Sequence, residues 1–274
     1  MPDGTISRAM PHKSRVKASF DRAASSYDVW ALLQRRIGER LLRFLPLDDL
    51  SNATILDLGA GTGYWSRRFK RHNTCVIDLD LSPAMLIQAR CLDQYETLYV
   101  CGDAESLPLA GKSVDLIFSN LMMQWCRDLE RLLKEVWRIL KPGGIFLFST
   151  FGPETLCELR DAWKRADRTG SHVNEFADRA MILDAISGSG LENRTLSREI
   201  MEVQYENVME LMRTLKGIGA RNVCADRPRT LGGKQKIARM IAEYRKIGAT
   251  HGIPATFEVI FGLCGRSIVS RDPE

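Results

Sequence analysis

The chain has 274 residues, 45% of them hydrophobic and 27% charged, which is ample for the core of one α/β domain with an added lobe or of two small domains. The net charge of +5, from 39 basic and 34 acidic side chains, is too mild a surplus to argue for nucleic acid. No apolar stretch reaches the roughly 18 residues of a membrane span, so neither a membrane nor a nucleic-acid partner is expected.

Residues 1–14 are basic and turn-rich and lack an apolar signal core, so they are expected to form a flexible leader before a domain over 15–274. Val16 to Ser26 and Val29 to Phe44 predict two helices, with Leu33, Ile37 and Leu41 at helical spacing and Pro46 ending the run. Strands and helices then alternate. Strands are expected at 53–58, 74–79, 97–101, 114–119 and 144–150, and helices at 63–71, 83–93, 128–140 and 154–168. Ser82 and Pro83 form a cap and first turn, and Lys141-Pro142-Gly143-Gly144 reads as a stop and turn between helix and strand. Beyond Gly170, helices are expected near 177–188, 206–216 and 233–247, with strands near 197–204 and 256–265. This alternation predicts a parallel, doubly wound sheet with right-handed crossovers. Runs such as Ile145-Phe146-Leu147-Phe148 suit strands covered on both faces. The expected divisions are N-terminal helices at 15–46, a cofactor-binding core at 50–150 and a substrate cap at 170–250.

The seven cysteines include no Cys-x-x-Cys pair, which predicts reduced and mostly buried thiols in a cytoplasmic protein. The four histidines stand singly, so no metal site is expected.

The most informative segment is Asp57-Leu58-Gly59-Ala60-Gly61-Thr62-Gly63, a strand end running into glycines and a helix. Glycines let the backbone approach a ligand closely. Asp80 ends the next strand about 20 residues on, where an acid can accept two ribose hydroxyl bonds. The spelling D-x-G-x-G-x-G departs from the dinucleotide fingerprint, and Tyr64 and Trp65 fill positions that should be small. S-adenosylmethionine has no diphosphate, so it does not require the missing glycine. Leu81 and Met85 can wall an adenine. Asp103 can accept from its amino group while the Ala104 amide donates to a ring nitrogen. Asn120 closes the fourth strand beneath the methionine part. All these positions lie at strand carboxyl ends, where open α/β sheets bind ligands.

This series, over roughly 50–150, resembles the class I S-adenosylmethionine-dependent methyltransferases, which implies a Rossmann-like sheet with a helical N-terminal lid and C-terminal cap insertions. A closer resemblance spans nearly the whole chain. Phe20 to Ala24 with Tyr27, Asn120 to Cys126, Ser149 to Leu156 with Glu158-Leu159-Arg160, and Leu215 to Ala220 are similar to the malonyl-acyl-carrier-protein O-methyltransferases of biotin synthesis. The resemblance implies S-adenosylmethionine as methyl donor, S-adenosylhomocysteine as product, and malonyl-acyl carrier protein or malonyl-coenzyme A as acceptor. A malonyl carboxylate is ionised at neutral pH, so no catalytic acid or base is expected. Tyr27, Gly59, Ala60, Gly61, Asp80, Leu81, Met85, Asp103, Ala104 and Asn120 are the expected cofactor residues. Tyr27, Gln124, Trp125 and Lys216 are candidates for the malonyl group, although Trp125 equally suits a core position and Lys216 a surface one. Arg213, Lys216, Arg221, Arg227, Arg229, Lys234, Lys236 and Arg239 form a basic stretch suited to an acidic carrier or to plain solvation. Two other readings stay open: a methyltransferase for another small acid or quinone precursor, and a respiratory-complex assembly factor. Phe151 to Arg160 and Pro254 to Phe257 resemble segments of the latter.

Overall fold

The computed structural model describes residues 12–45, 50–70, 74–167, 172–220, 233–247 and 252–268. The chain opens with helices α1 (Lys13–Ala23), α2 (Tyr27–Trp30) and α3 (Leu32–Leu42). An alternating stretch follows: β1 (Thr54–Leu58), α4 (Tyr64–Phe69), β2 (Cys75–Asp80), α5 (Pro83–Leu92), β3 (Leu98–Cys101), β4 (Val114–Asn120), α6 (Leu129–Ile139), β5 (Leu140–Phe151) and α7 (Cys157–Ala166). The remainder is α8 (Arg179–Ser187), β6 (Glu192–Tyr205), α9 (Val208–Gly217), α10 (Gly233–Arg245) and β7 (Ile253–Gly265).

Among the described residues the strands form one seven-stranded sheet in the order β3-β2-β1-β4-β5-β7-β6. Alternate residues of each strand serve opposite cores, as the two-residue period of a strand requires. Ile55, Val76, Phe118 and Leu147 face α3, α4, α7 and α10. Leu56, Leu58, Ile77, Ile117, Phe146 and Phe148 face α6 and α8. The capping expectation holds: Ser82 Oγ accepts the Met85 amide hydrogen at 3.2 Å, with Pro83 in the first turn.

The sheet is not wholly parallel as expected. The five strands from β3 to β5 are parallel, but β7 runs antiparallel to both β5 and β6 between which it lies. The apolar pattern of β7 reads the same in either direction, so sequence periodicity carries no sign of its polarity. The Lys141–Gly144 turn is absorbed into β5: Leu140 already pairs with Val114, and the register slips before Leu116 meets Ile145. Helix α1 begins at Lys13, inside the expected leader, and Lys13 pairs with Asp103 and Glu105 across the mouth of the sheet. Residues 1–11 of that leader lie outside the described residues. Of the six described cysteines, all free, Cys75, Cys91 and Cys101 are exposed, so the expectation of mostly buried thiols is not met. Cys224 lies outside the described residues. No described helix is long and apolar enough to cross a membrane.

The two segments that resemble those of assembly factors have clear structural roles. Glu258 of β7, 4% exposed, accepts the Glu154 amide hydrogen at 2.7 Å and also binds Arg198 of β6. Glu158 accepts the Thr256 amide hydrogen at 3.1 Å and its hydroxyl. The two segments Phe151–Arg160 and Pro254–Phe257 thus form one joint, which anchors the end of β5 to the antiparallel edge.

Candidate functional site

Strand order reverses between β1 and β4, and a cavity opens at the carboxyl ends of the strands at this point. Its space, including the open mouth, is about 920 Å³. Gly59, Gly61, Asp80, Leu81, Met85, Asp103, Ala104 and Asn120 line it from the sheet side. Val16, Phe20, Tyr27 and Gln34 of the N-terminal helices close it from above, and Ile218 and Ala220 wall it beyond α9. Gln124, Trp125 and Phe151 complete the lining, with the Trp125 ring edge-on to Phe20 at 5.3 Å.

Each expected residue has a definite place. Gly61 has φ +55, and a Cβ there would meet nothing within 4 Å, so its bare backbone faces open space. Its amide donates to Asp80 Oδ2 at 2.9 Å, and the Ser82 amide donates to Asp80 Oδ1 at 2.8 Å. The turn and the acid therefore hold each other in place. Ala60 is buried beside the cavity rather than lining it, and its amide hydrogen goes to the Leu79 carbonyl at 3.1 Å. Asp103 accepts the Glu105 amide hydrogen at 3.0 Å and the Lys13 ammonium. Asn120 is engaged at both ends: its Nδ2 donates to the Gln34 carbonyl at 3.0 Å and its Oδ1 accepts the Ser149 hydroxyl at 2.8 Å. Gln124 is similarly tied to the Leu121 carbonyl at 2.7 Å and the Thr150 hydroxyl at 3.1 Å.

Lys216 does not line this cavity. It sits on the other side of the α1–α9 contact, in a groove with Arg22, Trp30 and Arg213. The chain turns at Gly217, so successive residues of the Leu215–Ala220 motif face opposite sides of α1. The basic stretch is also divided. Lys236 is paired with Asp167 at 2.8 Å, Lys234 and Arg239 are exposed on α10, and Arg221, Arg227 and Arg229 lie outside the described residues.

Two lining residues went unnoticed in the sequence. Gln34, 8% exposed, leaves Oε1 buried without a hydrogen-bond partner against the cavity. An orphaned acceptor of this kind is costly and points to a donor supplied by a ligand. Lys13 closes the mouth through Asp103 and Glu105. Neither had a local signal, since both ride on helices whose placement over the sheet is tertiary.

The electrostatics are dominated by burial. It raises the Asp80 carboxyl above the usual carboxylate range, against the pull of its backbone hydrogen bonds. The Tyr27 phenol is pushed well above its ordinary value by burial and by Asp80 and Asp28, so it remains a neutral O–H donor. Behind the glycine turn, Asp57 and Asp78 are register partners on adjacent strands, each 1% exposed. Burial and the Asp78 charge raise Asp57, and burial foremost pushes Asp78 up to about 7.

A methyltransferase-domain family model matches residues 56–148, the β1–β5 core. A malonyl-[acyl-carrier protein] O-methyltransferase of Methylovorus sp. is 43% identical over 260 residues, covering 91% of this chain and 88% of the relative. The chain belongs to the malonyl-[acyl-carrier protein] O-methyltransferase family. A biotin biosynthesis bifunctional protein of Cellvibrio japonicus is 37% identical, and its match covers 91% of this chain and 49% of that protein. The fold is that of an S-adenosylmethionine-dependent methyltransferase from Mesorhizobium loti, with a TM-score of 0.52, 20% identity and coverage of 83% of this chain and 96% of that one.

This family membership makes the protein an S-adenosylmethionine-dependent methyltransferase. The cavity fits that molecule. The bare backbone at Gly61 leaves room that a side chain would fill, the Asp80 carboxylate keeps acceptor capacity, and the orphaned Gln34 acceptor suits an ammonium donor.

Proposed function

We propose that the protein methylates the free carboxylate of malonyl-acyl carrier protein in the cytoplasm, giving the methyl ester that primes pimeloyl synthesis for biotin. Likeness over 91% of the chain to relatives carrying this activity in their names supports the acceptor. The observation that carries the reading from the geometry is a cavity that couples a glycine turn and Asp80 to a wall of Phe20, Leu121, Met122, Trp125 and Ile218. When bound, S-adenosylmethionine supplies a methyl group on a sulfonium centre, which an ionised carboxylate can take directly.

The chain's own residues then position and desolvate. Asp80 accepts the two ribose hydroxyls on the lone pairs left free by the Gly61 and Ser82 amides. Leu81 and Met85 flank the adenine, and Asp103 with the Ala104 amide meets its edge. Gln34 receives the α-ammonium, while Asn120 holds Gln34 in place through the Gln34 carbonyl. The acceptor carboxylate needs no base. Tyr27 stays protonated and offers it a neutral hydrogen bond, which orients the oxygen without quenching its charge. The apolar wall excludes water, which sharpens the attraction between the opposite charges that meet there.

The test is methyl transfer from labelled S-adenosylmethionine with malonyl-acyl carrier protein, malonyl-coenzyme A and a free diacid offered side by side. Base-labile label on the carrier substrate is the expected result. Cofactor binding with no transfer to any of the three would overturn the reading in favour of another acceptor or a protein partner.

A further inference from the structure

The groove behind the α1–α9 contact is lined by Ser19, Arg22, Ala23, Ser26, Trp30, Arg213, Lys216 and Gly217 and encloses about 610 Å³ including its open mouth. Three cations from two separate elements converge on it. Arg22 lies in the last turn of α1, and Arg213 and Lys216 lie one turn apart on α9. All three are exposed, and none has a carboxylate partner among the described residues. Like charges gathered without a counterion repel one another, so the cluster calls for an anion.

The floor of the groove is built to a close tolerance. The Trp30 ring lies so near Gly217 that a Cβ there would come within 2.2 Å of it. Ser19 donates to the Gly219 carbonyl at 2.9 Å, which ties α1 to the same turn. That turn and α1 are the partition between groove and cavity. Lys216 and Gly217 face the groove while Ile218 and Ala220 face the cavity, and Arg22 faces the groove while Phe20 faces the cavity.

We propose that this groove seats the phosphodiester of the pantetheine arm that links the malonyl group to its carrier. The inference rests on the proposed function and deepens it. A carrier-linked thioester is tethered through an extended amide arm whose only strong charge is that phosphodiester. An arm lying over the Gly217–Ala220 turn has its thioester end on the cavity side and its phosphate on the cationic side. Arginine forks and a lysine ammonium are the groups that recognise phosphate best. Lys216 therefore serves the far end of the substrate and not the malonyl carboxylate.

The experiment compares the methyl phosphodiester of 4′-phosphopantetheine, which keeps the single charge of the carrier-linked arm, with pantetheine, which lacks the phosphate, by calorimetric titration of the full chain loaded with S-adenosylhomocysteine. The phosphorylated arm is expected to bind at least about tenfold more tightly, the scale of a charge-assisted contact. In the Arg22→Ala/Lys216→Ala variant the two arms become equal, and Arg213→Ala alone narrows the gap. Both variants change exposed side chains, and an unshifted melting temperature and S-adenosylhomocysteine affinity verify the fold. The Lys234→Ala/Arg239→Ala variant, altered on α10, retains the gap. Equal affinities in the unaltered protein, no binding of the phosphorylated arm at millimolar concentration, or a gap that persists in Arg22→Ala/Lys216→Ala would overturn the proposal. No methyl transfer enters this measurement. A preserved phosphate gap with no transfer to malonyl-acyl carrier protein would count against the proposed function alone.

Discussion

Asp80→Ala tests the ribose assignment proposed for the cavity. A carboxylate offers about four lone-pair sites. In this structure Oδ2 already accepts from Gly61 at 2.9 Å and Oδ1 from Ser82 at 2.8 Å, with the Leu81 amide also close by, and both oxygens keep acceptor capacity. That matches the two hydroxyls of a ribose. A hydrogen bond to a charged group contributes roughly 1.5–3 kcal/mol, so losing both costs about 3–6 kcal/mol, or roughly a hundredfold to ten-thousandfold in Kd. Asp80→Asn replaces one oxygen with a donor and should cost about half of that in free energy. Isothermal titration with S-adenosylhomocysteine, alongside a melting curve to verify the fold, reads both variants. Because burial raises the Asp80 carboxyl, affinity in the unaltered protein should begin to fall on acidification at a higher pH than an ordinary aspartate would impose. A Kd within threefold of the unaltered protein for a folded Asp80→Ala variant would remove Asp80 from the cofactor.

Gln34→Leu should weaken S-adenosylhomocysteine binding by about tenfold without lowering stability, because the lost acceptor is already unpartnered in the free protein; a tight-binding, folded variant would refute the ammonium contact. Burial pushes the Asp78 carboxyl up from 3.8 to about 7, so the folded chain holds more protons and stability falls as pH rises through this range. Asp78→Asn should flatten that fall, with urea midpoints at pH 5 and pH 8 closer together than in the unaltered protein; an unchanged difference would refute it. Gly217→Ala would drive a methyl group into the Trp30 ring and should destabilise by about 1–3 kcal/mol; equal urea midpoints would show that the α2–α9 contact yields freely.

Much of the sheet side of the cavity was legible because its signals are local. The glycine turn, Asp80, the Ser82 cap and Asp103 each follow directly from a strand end, and strand ends are marked by apolar runs and turn residues. These residues fall into one cavity because parallel strands carry their loops to the same edge. The helical side of the cavity was less legible. Helical spacing in α1 and α3 marks a buried face but not what that face covers, so Lys13 and Gln34 carried no sign of their cavity.

The sequence by itself determined the element order, the βα turn chemistry and the family, since these depend on residues close together in the chain or on motifs kept whole. Only the tertiary structure decided the direction of β7, the fusion of the Phe151–Arg160 and Pro254–Phe257 segments through Glu258, and the separation of Lys216 from the cavity. A strand's two-residue period has no polarity, and a turn at Gly217 sends neighbouring residues to opposite sides of α1. Such placements are set by packing between distant parts of the chain, which local pattern does not encode.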